Sequence, residues 1–207
     1  MQTRTYTELF QLIKSLAGVN EFTSDETTYI LNFANRRFYE AFDTTEMWPR
    51  YLVVGEARDT TDSVVPFTQS SKSNIGQFLR IHRNQPFLRQ SEIEYDFFVD
   101  ANGAHILNEV GGSSDGDVYV TYKKEFTPLT GDFSPTSTSL VPLEFFYFIG
   151  HAAYADFLRM DGQVEKALVE EQKAEDYLDL ELDKVELLSN NNSVGKKIST
   201  YVNRQSR

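Results

Sequence analysis

The stretch from Pro142 to Leu188 constrains this chain more than any other, because it spells out two consecutive helices and the point where they part. Pro142 has the fixed φ and missing N–H that suit a first helical position, and Gly162 is the residue type that closes a helix by turning left-handed. The pattern predicts helices over Pro142–Met160 and Gln163–Leu188, hinged at Asp161-Gly162. On the first, Leu143, Phe146, Ile149, Ala153 and Phe157 recur at steps of three or four; on the second, Val164, Leu168, Ala174, Leu178, Leu182 and Val185 form a similar series, with one gap of six, while acidic residues fill the other faces. Each helix is expected to carry one apolar stripe that another element must cover.

Upstream, Thr5 and Glu8 have capping-box spacing ahead of Leu9, Leu12, Ile13 and Leu16, and Gly18 follows, so a helix over Tyr6–Ala17 is expected. Thr23-Ser24-Asp25-Glu26 starts a second helix, whose apolar residues Ile30, Phe33, Ala34, Phe38, Ala41 and Phe42 share a stripe; Arg36, Arg37 and Glu40 fall off it, as on a solvated face. Trp48-Pro49 breaks the pattern, since the residue before proline is pushed out of the helical region, and Trp48 is expected to anchor the exit.

From Arg50 to Phe126 the helical period disappears. Leu52 to Val54, Val64-Val65, Phe78 to Ile81, Ile93 to Val99, Ile106-Leu107 and Val118 to Tyr122 are short runs rich in branched and aromatic residues, which predict strands. Asp100-Ala101-Asn102-Gly103 reads as a hairpin turn, and Gly111-Gly112-Ser113-Ser114-Asp115-Gly116 as a flexible loop tip. In the last run Val118, Val120 and Tyr122 alternate with Tyr119 and Thr121, so one face should be covered more than the other. The expected class is α+β: a helical bundle of N- and C-terminal helices, the second helix packing on the C-terminal hairpin, with an inserted antiparallel sheet or small sandwich. The divisions are 1–49 for the first helices, 50–127 for the β region, 128–141 for a polar linker, 142–188 for the helical hairpin and 189–207 for an extended, flexible tail.

Charge narrows function. The net charge of −11 is unevenly placed, because residues 190 to 207 hold Lys196, Lys197, Arg204 and Arg207 with no acid, leaving the body more acidic still. Such a surface repels nucleic acid, which argues against a groove-reading DNA binder. The absence of cysteine excludes disulfides and thiolate chemistry and suits a reducing cytoplasm. The first residues lack a signal-peptide core and no window approaches a spanning segment, so a non-secretory chain without membrane contact is expected. Sixteen Phe and eleven Tyr exceed what a core alone suggests and suit burial against other subunits.

No constellation points to catalysis. His82, His105 and His151 sit in different segments without metal-ligand spacing and read as surface or partly buried ring donors. Asp100 to Gly103 lacks the later glycine and the glutamate of a calcium loop, and Asp115-Gly116-Asp117 is an ordinary acidic turn. No nucleophile elbow, phosphate loop or dinucleotide fingerprint is present. The expectation is no catalytic residue, cofactor or metal. For the acidic residues of the last helix, Glu170, Glu171, Glu175 and Asp179 among them, a solvated face stands beside a wall facing a channel or a basic partner; for the tail, a frayed terminus stands beside a segment that orders on a partner.

One resemblance goes further. Tyr6-Thr7-Glu8-Leu9, Asn32-Phe33-Ala34-Asn35 with Phe38, Trp48-Pro49, a strand-rich insertion, then Val141-Pro142-Leu143-Glu144, Ile149, Ala152-Ala153, Leu158, Gly162, Lys166-Ala167, Ala174 and Tyr177, taken in order, resemble the head-to-tail connector (adaptor or neck) proteins of tailed bacteriophages. That resemblance implies a non-enzymatic ring, usually dodecameric, made in the host cytoplasm and placed in the virion neck between the portal protein and a tail or nozzle protein. It implies docking on the portal through Lys196, Lys197, Ile198, Tyr201, Val202, Arg204 and Arg207. Glu170, Glu171, Glu175 and Asp179 would then face the channel, where DNA passes without sequence-specific binding. Two other readings remain: a tail-completion or tail-tube protein whose sheet makes the ring contacts, and a carbohydrate-binding or carbohydrate-acting β domain, which Tyr119 and Trp48 exposed beside carboxylates would favour.

Overall fold

The computed structural model describes residues 2–44, 51–69, 71–86, 93–107, 117–131 and 139–205, with the backbone alone for 117 and 185–205. In chain order the elements are β1 (Thr3–Thr5), α1 (Tyr6–Ala17), α2 (Ser24–Asp43), β2 (Leu52–Asp59), β3 (Val64–Pro66), β4 (Ile75–His82), β5 (Glu94–Tyr95), β6 (Phe97–Val99), β7 (Gly103–Ile106), β8 (Asp117–Lys124), β9 (Leu140–Pro142), α3 (Leu143–Met160) and α4 (Val164–Gln205). The chain is mixed α+β, with antiparallel sheets, and divides into two compact units: Met1–Met47 with Pro128–Arg207, and Trp48–Thr127.

In the helical unit the expected capping box at Thr5 forms, and the start signal at Thr23 proves to be a second one. Glu8 and Glu26 amides donate to Thr5 and Thr23 hydroxyls, and the carboxylates of Glu8 and Glu26 accept from the Thr5 and Thr23 amides at 2.9 and 2.7 Å. α3 ends as Gly162 requires: its φ is +79°, its amide bonds to Arg159 O at 3.1 Å, and the Gln163 amide returns to Leu158 O at 2.8 Å. These two bonds satisfy carbonyls that the end of a helix leaves bare.

Five expectations change here. Pro142 is not the first helical residue; with ψ 136° it stands just before α3 as the last residue of β9. β9 lies within the stretch read as a polar linker and pairs antiparallel with β1, placing Thr3 opposite Pro142 and Thr5 opposite Leu140. α3 does not carry one apolar stripe. It packs against α1, α2 and α4, and Phe145, Phe146, Phe148, Ile149, Ala152, Ala153, Ala155, Asp156 and Leu158 bury nearly its whole circumference. On α4, among the described side chains, the buried positions are Ala167, in a cluster with Ala155 and Leu158, and Ala174, whereas Val164 and Leu168, which the expected stripe set beside Ala174, are 54% and 56% exposed. Small residues let the two helices approach closely, and that proximity sets the face of α4 that turns inward. Finally, α4 does not stop at Leu188 before a flexible tail but continues as helix to Gln205. Once a helix is nucleated each further residue closes one more backbone bond, and no proline interrupts positions 163–205.

The strand-rich unit holds a four-stranded antiparallel sheet, β2-β8-β4-β5, and a three-stranded one, β3-β7-β6. Both line a core of Val65, Ile75, Phe78, Ile81, Ala104, Ile106, Val118, Val120 and Tyr122. The chain changes sheet at a tight reversal, where Thr61 and Val64 exchange backbone bonds around Asp62 and Ser63, both at positive φ. It changes again inside the run Ile93–Val99, read as one strand, because β5 pairs with β4 while β6 pairs with β7. The Asp100–Gly103 turn forms as expected: Asp100 Oδ1 accepts from the amides of Asn102 and Gly103 at 2.7 and 3.2 Å, which lowers the Asp100 pKa. The alternation expected along β8 is only half realised. Val118, Val120 and Tyr122 enter the core, but Thr121 and Lys123 on the opposite face are buried as well, since β8 lies between two neighbours. Trp48 and the Gly111–Gly116 loop lie outside the described residues.

Gly103 has φ +145°, and a Cβ there would stand 2.1 Å from Val65 O. Gly103→Ala should therefore cost roughly 2 kcal/mol or more, seen as a lower urea midpoint. Gly162 is left-handed but faces open space, so Gly162→Ala should cost only about 1 kcal/mol. Equal losses would show that β3 and β7 do not approach so tightly.

Candidate functional site

Three features of the described residues hold the chemistry of this chain. The first is an ion-pair hub uniting α2, α3 and α4. Asp156, buried amid the apolar positions of α3, receives Arg36 Nη2 at 2.6 Å and Arg37 Nε and Nη2 each at 2.8 Å; Arg159 Nη1 lies 3.4 Å from its Oδ1. Glu171 of α4 accepts from Arg37 at 3.2 Å and is clasped by both terminal nitrogens of Arg159. Arg37 was expected on a solvated face, but its side chain is only 11% exposed. Burial alone would pull its pKa down; the bonds to Asp156 and Glu40 outweigh this and raise it. Glu171 is held below the usual carboxylate range by the bond from Arg159, then by Arg37. The missed signal was Asp156 itself, a lone acid in an otherwise apolar helical stretch, which demands a cation when buried.

The second feature joins α3 to α4 one turn away. His151 Nδ1 lies 2.7 Å from Glu170 Oε2, Lys173 Nζ lies 2.7 Å from Glu170 Oε1, and the Tyr177 ring stacks on both His151 and Tyr147 at 5.3 Å between centroids. Burial opposes ionisation of Glu170, but Lys173 and His151 prevail and its pKa is lowered. The third is in the strand-rich unit. Arg58, fully buried, donates Nη2 to Glu56 at 2.9 Å, to Ser73 O at 2.7 Å and to the Tyr122 hydroxyl, and lies over the Tyr122 ring. Burial, with the bond it donates to Glu56, pushes the Tyr122 hydroxyl pKa up.

These arrangements neutralise charge inside the subunit, and they sort the candidate residues. Of the four acids expected to face a channel, Glu170 and Glu171 are partly buried and already paired, whereas Glu175 and Asp179 are exposed and make no ion pair among the described residues. Lys196, Lys197, Ile198, Tyr201, Val202 and Arg204 lie on the C-terminal third of α4, and Arg207 is outside the described residues. The three histidines stay apart: His82 Nε2 is 3.4 Å from Thr121 Oγ1, His105 Nε2 is 3.0 Å from Asp100 and its ring stacks on Phe98, and His151 belongs to α3. Among the described residues no three His, Asp or Glu side chains come together as metal ligands, and no helix is long and apolar enough to cross a membrane. Tyr119 is half-buried.

Asp156→Asn should destabilise the helical unit by about 3 kcal/mol, because it removes the buried carboxylate that the buried Arg37 guanidinium faces; a loss below about 1 kcal/mol in denaturant titration would remove the hub from the fold. A lowered folded pKa means that the Glu171 contribution is present above its unfolded value, about 4.3, and disappears as pH falls through the folded value. Melting temperature should therefore decline as pH is lowered beneath that range, and Glu171→Gln should flatten the decline. No protein-family model matches this chain, and no curated protein compared with it is significantly similar.

Proposed function

We propose that this chain is a head-to-tail connector of a tailed-phage virion, a non-enzymatic subunit of a ring that joins the portal to the tail. The observation that carries the reading is the outer face of α4. Val164, Leu168, Val169 and Leu180 are each more than half exposed there, beside the unpaired carboxylates of Glu175 and Asp179. Apolar residues repeated along one exposed helix mark a surface that another molecule covers. The succession of elements supports the same reading: two capped helices, an inserted pair of sheets, then a bundle-forming helical hairpin, in the order that the connector resemblance implies. In such a ring each subunit needs two different adhesive surfaces. Glu175 and Asp179 keep their charge for a channel wall along which DNA slides without adhering, a role that the internally paired Glu170 and Glu171 serve less well. Lys196, Lys197, Ile198, Tyr201, Val202, Arg204 and Arg207 supply cations and apolar contacts for the portal.

The reading is tested by mixing the purified protein with the portal of its own phage and imaging the particles by electron microscopy. A ring of subunits stacked coaxially on the portal is expected, lost on deletion of Ser193 to Arg207 while the remaining protein keeps its helical circular dichroism. Portal particles left bare by the full-length protein would refute it.

A further inference from the structure

α4 is a rod of two opposite characters. Its 42 residues span about 63 Å at 1.5 Å per residue. At 100° per residue Val164, Leu168, Glu175 and Asp179 fall on one strip of its first half, flanked by Glu165, Asp176 and Asp183, all seven exposed and without an ion pair among the described residues. The last third, Ser189 to Gln205, contains Lys196, Lys197 and Arg204 and no acid, with Ile198, Tyr201 and Val202 at neighbouring helical positions. The two segments are complementary in charge, and both contain apolar residues. They cannot meet within one molecule, because the helix is continuous from Val164 to Gln205, so about 38 Å of rod separates Glu175 from Thr200. α3, the helix that covers the inner side of α4, has only 18 residues and spans about 27 Å, less than half the length of α4.

We infer that the acidic, apolar strip of α4 is the docking site for the basic C-terminal third of α4 from a second copy of this chain. The contact is heterologous: each subunit receives one neighbour on its strip and reaches the other with its end, a geometry that propagates and closes into a ring when the rotation per subunit allows it. It rests on the ring reading above for closure, but the pairwise contact stands without a portal. Coulomb attraction supplies register and salt dependence, and the apolar residues supply burial. The portal and a neighbouring subunit would compete for the same basic segment, and a neighbour seated on the strip would withdraw Glu175 and Asp179 from the channel wall.

The test uses the full chain, without portal, in sedimentation-velocity ultracentrifugation across a concentration series at low and high salt. The parent protein is expected to self-associate, with a dissociation constant rising at least tenfold between 50 and 500 mM salt, as screening shortens the reach of charge. Variant one, Lys196→Glu/Lys197→Glu/Arg204→Glu, and variant two, Glu175→Lys/Asp179→Lys, should each stay monomeric with unchanged circular dichroism. Mixed together, they should associate again and grow in alternation, since the end of each finds a strip of opposite charge on the other. A chain carrying both sets of reversals should associate again. A parent that remains monomeric at the highest concentration, or a variant one that associates as the parent does, overturns the contact; so does association abolished by Leu168→Ser yet indifferent to every charge reversal, which would assign the strip to another apolar occupant. Portal binding that persists after any of these outcomes leaves the connector reading standing and removes only this inference.

Discussion

α3 can be buried on nearly every side only because its one interior carboxylate is met by guanidinium groups. Asp156 places a negative charge between α3 and α2, and an unpaired charge there would cost several kcal/mol. Arg36 and Arg37 come from α2, Arg159 from the next turn of α3, and Glu171 from α4 extends the network so that cations and anions alternate. Apolar packing among Phe38, Phe145, Ile149, Ala153 and Ala167 supplies bulk burial, but it is indifferent to small rotations of the helices. The hub is not: guanidinium and carboxylate planes bond well in few orientations, so it fixes how α2 and α4 lie on α3.

The same constraint explains why the outer surface of α4 carries exposed apolar side chains. Ala167 and Ala174 face α3, and Glu171 must reach Arg159, so the inward face of α4 is set by two small residues and an acid rather than by its largest apolar side chains. Val164 and Leu168 are then left facing water. A helix placed by its leucines would have hidden them and exposed Ala167 and Ala174. Folding thus uses one face of the helix, and Glu175, Asp179 and the apolar side chains not used in folding stay exposed on the other.

In the strand-rich unit the organising constraint is close backbone approach. Gly103 lets β7 come within van der Waals contact of β3 at Val65, and the Thr61–Val64 reversal passes the chain from one sheet to the other. Arg58 is the most deeply buried of the charged residues described in that unit, and its contacts with Glu56, Ser73 and Tyr122 join β2 to β8 and to the segment before β4.

What the sequence determined by itself was local. Both capping boxes, the left-handed stop at Gly162, the Asp100–Gly103 turn, the helical or extended character of most stretches between Tyr6 and Leu188 and the mixed α+β class follow from neighbouring residues, whose propensities and side-chain bonds act over a few positions. Tertiary structure decided whatever depends on partners far along the chain. β1, polar, and β9, apolar but ending in proline, are each three residues long, too short to signal a strand alone, and exist as a pair because the chain brings Thr3 beside Pro142. Arg37 reads as solvated until Asp156, 119 positions away, is opposite it. Which side of α4 is inside was likewise not periodicity's to decide, because a repeat of apolar residues marks a face that can be buried, whereas the depth of packing at Ala167 and the reach of Arg159 select the face that is.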